Sequence, residues 1–142
     1  MKPVSELIKM RAGALWHVRP DDSVFAALHL LAEHEVGALV VMDGGRLVGV
    51  MSERDYTRKI ALQGRNSKDT PVSEIMTTQV LTVSPGTRTR ACMALMSEKK
   101  IRHLPVVDGA TVLGMISIRD IMDDIIADHE TTIAQLENYI ST

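Results

Sequence analysis

The chain contains an internal duplication. When the 142-residue sequence is shifted against itself by 65 positions, residues 20–60 align with residues 85–125 without a gap, and 13 of the 41 aligned residues are identical. Chance would give about two or three identities at average composition. A shorter match, VSELI at residues 4–8 with VSEIM at residues 72–76, lies at an offset of 68. A repeat of this size cannot bury its own apolar face alone, so each copy is expected to depend on the other.

Both copies show the order β-α-β-β-α. A short β-rich segment ends at Pro20 or Pro85, as expected where proline closes a strand. A helix follows, with Asp22 or Ser23 as candidate N-cap in the first copy and Thr87 in the second. Two strands joined by DGG or DGA turns then lead into a closing helix. We therefore predict an α/β (α+β) fold of two pseudo-symmetric repeats packed sheet to sheet, divided into residues 1–62, a polar linker 63–71, residues 72–127 and a C-terminal helix extension 128–142.

Composition excludes several classes of function. The net charge is −2 with acids and bases interspersed, which gives no electrostatic footprint for nucleic acid or an anionic membrane. No apolar run is long enough to span a bilayer. The single cysteine, Cys92, lies on a core-facing helix stripe and is expected to be an inert buried thiol. No P-loop, metal-ligand spacing or nucleophile–base pair is present. These features predict a cytoplasmic, non-catalytic protein with no metal site.

A seven-residue motif is repeated almost unchanged. GVMSERD spans residues 49–55 and GMISIRD spans residues 114–120, each at a strand-to-helix junction. A Ser with an acid three residues later can be a capping box, in which the two side chains satisfy the first backbone groups of the helix. The glycine inside an apolar strand indicates close approach of a ligand or another backbone. A fixed carboxylate can also accept hydrogen bonds from a vicinal diol, so the motif suits a nucleotide as well as a helix cap.

The duplicated order and the motif G-h-h-S-x-x-D, together with IRHLPVVD in the second copy, resemble a tandem pair of CBS (cystathionine β-synthase) domains, or Bateman module. The resemblance covers nearly the whole chain and implies adenosine-type ligands in clefts between the repeats. It assigns the ribose hydroxyls to the motif acids, with the motif serines beside them and the adenine flanked by the opening segments. The implied nucleotide-binding residues are Ser52, Arg54, Asp55, Ser117, Arg119, Asp120, Thr77, Val80, Lys9, Leu15 and Trp16, joined by Arg102 and His103.

The two predicted sites are unequal. The resemblance implies that Arg102 and His103 reach a phosphate at the site of Asp55, whereas the equivalent residues of the first copy are Gly37 and Ala38. We therefore expect a phosphorylated adenine nucleotide, AMP first and NAD(H) second, with S-adenosylmethionine as a further alternative. A regulatory module that signals to an unidentified protein partner is the predicted function. A constitutive scaffold with vestigial sites is the alternative from another class.

The last helix carries a heptad-like apolar stripe. Its members are spaced by 4, 3, 4, 3 and 4 residues and comprise Met122, Ile126, His129, Ile133, Leu136 and Ile140. Two interpretations remain open, because the stripe could pack on its own module or associate with a second copy. The family resemblance favours a homodimer.

Overall fold

The computed structural model describes residues 2–9 and 15–141 as a mixture of short helices and two small sheets. The helices are α1 (Val4–Lys9), α2 (Val24–His34), α3 (Glu53–Tyr56), α4 (Thr89–Lys99) and α5 (Ile118–Ser141). The strands are β1 (His17–Val18), β2 (Ala38–Asp43), β3 (Arg46–Ser52), β4 (His103–Asp108) and β5 (Thr111–Ser117). A π-helical turn (Thr57–Ala61) follows α3, and a 3-10 turn (Val72–Glu74) opens the second copy.

The sheets confirm the predicted α+β class. One sheet has the order β1-β2-β3, with β1 parallel and β3 antiparallel to β2, and the other pairs β4 with β5. The first β segments are shorter than predicted: β1 has two residues, and its counterpart in the second copy is a single parallel bridge between Val83 and Val106. The predicted DGG turn joins β2 to β3, where Gly44 and Gly45 have φ of +56° and +82°. Glycine adopts such angles without the steric cost that a side chain would add.

The chain forms two compact units that exchange their opening segments. The Asp55 unit consists of Leu15–Leu81 with Ala110–Val112. The Asp120 unit consists of the described residues of Met1–Ala14, with Thr82–Gly109 and Leu113–Thr142. Helix α1, from the start of the chain, therefore belongs with the second copy, and the 3-10 turn that opens the second copy belongs with the first.

Each core contains residues from the exchanged segment. In the Asp55 unit, Val72 and Ile75 are fully buried in one cluster with the apolar face of α2, namely Val24, Ala27 and Leu31. In the Asp120 unit, Val4 of α1 is fully buried in a cluster with residues of α4, β4, β5 and α5. Each copy thus needs a segment of the other for burial, as the duplication predicts.

Backbone hydrogen bonds fix the linker and the opening segment of the first copy at the starts of helices. The first N–H groups of a helix have no partner within it. Val24 and Phe25 of α2 donate theirs to the carbonyls of Thr70 (2.8 Å) and Ser67 (3.0 Å), in the segment predicted as a linker. Thr89 of α4 donates to the carbonyl of Lys2 at 3.1 Å.

The helix caps differ between the copies. Ser23 is the N-cap of α2, because its hydroxyl accepts from Ala26 N at 3.0 Å, as predicted. The prediction for Thr87 was wrong. Arg88 precedes α4 without a side-chain cap, and the Thr87 hydroxyl accepts instead from Ser84 N at 3.2 Å, in the turn before the helix. The carbonyl of Lys2 makes a side-chain cap less necessary at this position.

Candidate functional site

The first motif forms a complete capping box. Asp55 N donates to Ser52 Oγ at 3.1 Å, and Ser52 N donates to Asp55 Oδ2 at 2.9 Å. The Ser52 hydroxyl also donates to Asp55 Oδ2 at 3.0 Å. The Asp55 side chain is 14% exposed, so the carboxylate is held in one orientation and remains accessible.

The second motif repeats this geometry. Ser117 N and Ser117 Oγ donate to Asp120 Oδ2 at 2.7 and 3.0 Å, and Asp120 N donates to Ser117 Oγ at 3.2 Å. The capping interpretation is therefore confirmed at both motifs. It does not exclude ligand binding at the first motif, where the serine engages only Oδ2 of Asp55.

Thr77 is the predicted adenine-flanking residue that the structure brings beside the first motif. Its N–H donates to Val50 O at 2.9 Å and its carbonyl accepts from Val50 N at 3.0 Å, which pairs it with β3 two residues before Ser52. Thr77 is exposed. The exchange of opening segments thus places Thr77, from the second copy, in the same unit as Asp55.

Gly49 permits this approach. A Cβ built there would lie 2.6 Å from Met76 Sδ and 3.0 Å from the carbonyl oxygen of Thr77. The prediction that this glycine marks close approach is confirmed, and the approaching groups are the Met76 side chain and the Thr77 backbone carbonyl. Gly114 is different, because the three atoms nearest to a Cβ there all belong to the Ile8 side chain, at 3.4–3.5 Å, which is ordinary contact.

The predicted basic residues lie at the surface. Arg102 is exposed and His103 is half-buried, and the Arg102 carbonyl accepts from Ile118 N at 2.8 Å at the start of α5. The backbone of Arg102 therefore lies beside the Ser117–Asp120 motif. Arg54 and Arg119, each one residue before a motif acid, are both exposed.

The remaining predicted residues differ in environment. Trp16 stacks on His34 with ring centroids 3.5 Å apart and an interplanar angle of 5°. Leu15 and Val80 are half-buried, in the same unit as Trp16. Lys9 is exposed at the end of α1, in the Asp120 unit. Sequence reasoning did not predict that His34 covers the indole, since Trp16 precedes β1, His34 ends α2, and no sequence pattern relates them.

Lys59 is the principal neighbour of the first motif that sequence reasoning missed. Its Nζ lies 3.2 Å from Asp55 Oδ1 and donates to the carbonyl of Ile75 at 2.8 Å. The spacing from Asp55 to Lys59 is the i,i+4 spacing of helical ion pairs, which was the available signal. No sequence signal indicated the contact with Ile75, because that contact depends on the exchanged segment.

The free cysteine, Cys92, is buried and lies outside both motifs. Burial raises the pKa of the Cys92 thiol above its usual range, which disfavours the thiolate. No group of three or more His, Cys, Asp or Glu residues is placed to hold a metal within residues 2–9 and 15–141. In the same residues no helix is both long and apolar enough to cross a membrane.

A duplicated α+β unit with a capped Ser–Asp motif defines the class of protein, and comparison with known proteins identifies the family. The CBS domain family matches residues 4–62 and 72–127, and the chain belongs to it. It is 42% identical to the CBS domain-containing protein CBSX3, mitochondrial, of Arabidopsis thaliana, over 96% of this chain and 71% of that protein. A solved structure of a protein with CBS domains from Burkholderia ambifaria is 45% identical, with a TM-score of 0.85 over 89% of this chain and 96% of that one. The CBS domain pair of protein MJ0100, solved in complex with 5'-methylthioadenosine and S-adenosyl-L-methionine, shares the fold at 23% identity, with a TM-score of 0.79 over 90% of this chain and 98% of that one.

Proposed function

We propose that this protein is a non-catalytic regulatory CBS pair that binds an adenine nucleotide through the ribose hydroxyls and transmits occupancy to a protein partner. The observation that carries the proposal is the fixed Ser52–Asp55 pair beside Thr77, repeated in outline at Ser117–Asp120. A ligand can shift the protein only by binding two arrangements with different affinity. Regulation therefore requires that occupancy change how the chain contacts a second copy or a partner.

The acceptor capacity of the first motif fits a vicinal diol. A carboxylate oxygen has two acceptor positions, and Asp55 Oδ2 uses both for the N–H and hydroxyl of Ser52. Asp55 Oδ1 can therefore accept one ligand hydroxyl beside Lys59. Ser52 Oγ, which accepts from Asp55 N, has one further position for the adjacent hydroxyl. The diol of a ribose would be shared between the two side chains.

The choice of ligand rests on charge. Arg102 and His103 remain the predicted phosphate-binding residues of the Asp55 site and favour AMP, with NAD(H) as the second candidate. S-adenosylmethionine and 5'-methylthioadenosine are retained for comparison, because both occur in the complex of the MJ0100 pair. The cytoplasm remains the predicted location, although a relative is named as mitochondrial.

The test is a thermal-shift screen of the purified protein against AMP, ATP, NAD(H), S-adenosylmethionine, 5'-methylthioadenosine and 2'-deoxy-AMP. A ligand at a hundred times its Kd stabilises the native state by about 2.7 kcal/mol, which raises the melting temperature of a chain of this size by about 5–10 °C. We expect AMP to give the largest shift and 2'-deoxy-AMP a much smaller one. Equal shifts for the two would contradict the ribose assignment, and no shift with any compound would contradict the proposed function.

A constitutive interaction protein is the second candidate, and the apolar stripe of α5 favours it. Five of its members are between 52% and 82% exposed, namely Met122, Ile126, Ile133, Leu136 and Ile140. The interpretation that these side chains pack on their own module is therefore wrong. A contiguous exposed apolar face commonly marks an interaction surface, and the heptad spacing suits association with α5 of a second copy.

Replacing Ile133 by Glu is expected to weaken homodimerisation at least tenfold, because it places a charge on the stripe. Sedimentation equilibrium would measure the association constant. Thr131→Glu is the matched control, since Thr131 is exposed on the same helix but lies outside the stripe. An association constant that falls equally in both variants, or in neither, would show that the stripe is not the contact.

A further inference from the structure

Lys59 connects the two parts of the Asp55 unit to which we assign the ribose and the adenine. Its ammonium group lies 3.2 Å from Asp55 Oδ1 and 2.8 Å from the carbonyl oxygen of Ile75. Ile75 is fully buried and lies two residues before Thr77. One cation thus joins the helical segment after the motif to the exchanged segment that pairs with β3.

The local backbone at Lys59 differs from that of the second copy. Lys59 lies in the π-helical turn Thr57–Ala61, where Leu62 N donates to Thr57 O at 3.0 Å. Such turns are rare and are frequently found at functional sites. The closing helix of the second copy, α5, continues instead as one α-helix from Ile118 to Ser141.

The equivalent residue of the second copy is a hydrogen-bond acceptor instead of a donor. Asp124 occupies the position of Lys59 at the offset of 65. It is 4% exposed, and its Oδ2 accepts from Lys2 N at 3.2 Å and from Thr89 Oγ1 at 2.9 Å. Both residues connect a closing helix to an exchanged opening segment. Lys59 does so as a donor that also contacts the motif acid, and Asp124 does so as an acceptor.

From this contrast we infer that Lys59 is a positioning residue of the first site: it orients Asp55 Oδ1 for the ribose and holds the Thr77 segment at a fixed distance from it. The inference rests on the proposed function. Its direct effect is on binding, because an ion pair whose lysine is 41% exposed contributes little to stability. No equivalent effect is expected at the Asp120 site.

The experiment measures AMP and 2'-deoxy-AMP affinities by isothermal titration calorimetry, in an Asp120→Ala background so that only the first site contributes. We expect Lys59→Gln to weaken AMP binding about tenfold, since it removes a charged hydrogen-bond donor from the carboxylate. The preference for AMP over 2'-deoxy-AMP should decrease as well, because a misoriented Asp55 no longer distinguishes the two sugars. Lys59→Arg should restore part of the AMP affinity and part of the preference for AMP. In either variant the melting temperature of the unliganded protein should change by no more than about 4 °C.

Arg58→Gln is the matched control, because Arg58 is exposed and carries the same charge one residue earlier. Equal losses in Arg58→Gln and Lys59→Gln would show a general charge effect and overturn the inference. An unchanged preference between the two sugars in Lys59→Gln would also overturn it, since a merely structural loss weakens both nucleotides alike. If Asp55→Ala abolishes AMP binding but Lys59→Gln leaves it intact, only this inference fails. If the parent chain binds no nucleotide, the proposed function fails with it.

Discussion

Asp55→Ala is expected to remove most of the stabilisation that AMP gives to the protein. Asp55 offers one oxygen to a ligand hydroxyl, and its capping bonds also orient the Ser52 hydroxyl for the second. Hydrogen bonds to charged groups contribute about 1.5–3 kcal/mol each, so the affinity should fall by about 10- to 100-fold. At an AMP concentration of about a hundred times the Kd of the parent protein, a variant that binds 100-fold more weakly retains only about 0.4 kcal/mol of stabilisation.

The control for this experiment is Asp120→Ala. Both variants lose the same capping box, which costs about 1 kcal/mol before any ligand is added. Each ligand-induced shift is therefore compared with the melting temperature of the same variant without ligand. We expect Asp120→Ala to retain the larger part of the AMP response. The reverse order would assign AMP to the second site and contradict the predicted role of Arg102 and His103.

Gly49→Ala is expected to destabilise the protein by about 1–3 kcal/mol, the usual range for overpacking. The added methyl group would lie 3.0 Å from the Thr77 carbonyl oxygen, which is backbone held by two hydrogen bonds to Val50. The Met76 side chain can rotate away, but the carbonyl cannot move without breaking the pairing that places Thr77 at the site. Denaturant unfolding measures the stability, and the AMP affinity should fall in the same variant.

Gly114→Ala is the counterpart in the second copy, and the opposite sign is expected. The new methyl group would make ordinary contact with Ile8. Gly114 does not have a positive φ, so alanine is compatible with its backbone. Alanine then stabilises by about 0.4–1 kcal/mol by reducing the entropy of the unfolded chain. Equal destabilisation by the two substitutions would show that glycine is required in the strand for a reason other than the approach of Thr77.

The repeat pattern predicted much of this fold, because many features of the fold depend on local and periodic signals in the sequence. The hairpin turn at Gly44 and Gly45, the apolar face of α2 and both capping boxes follow from residue spacing. The exchange of opening segments does not. It depends on backbone hydrogen bonds such as Val72 N to Asp22 O, which any residue type except a proline donor can make and which therefore leave no mark on the sequence.

The contacts around the first motif were predicted only in part. Ser52 and Asp55 could be named because their side chains act within one turn of chain. Lys59 could not be assigned a role, because its second partner is the carbonyl of Ile75, sixteen residues away. The stacking of Trp16 on His34 was missed for the same reason. In each case a long-range contact involves a group whose identity the local sequence does not specify.

The exchange of segments also affects the order in which the protein can be completed during synthesis. The Asp55 unit needs almost nothing beyond Leu81, so most of its contacts can form once that residue has left the ribosome. Helix α1 is made before the Asp55 unit, but its partners α4 and α5 begin only at Thr89 and Ile118. Helix α1 must therefore remain without its native contacts until the second copy has been translated. Its apolar residues, such as Val4, are buried only in the folded protein. During that interval they are exposed and available to chaperones.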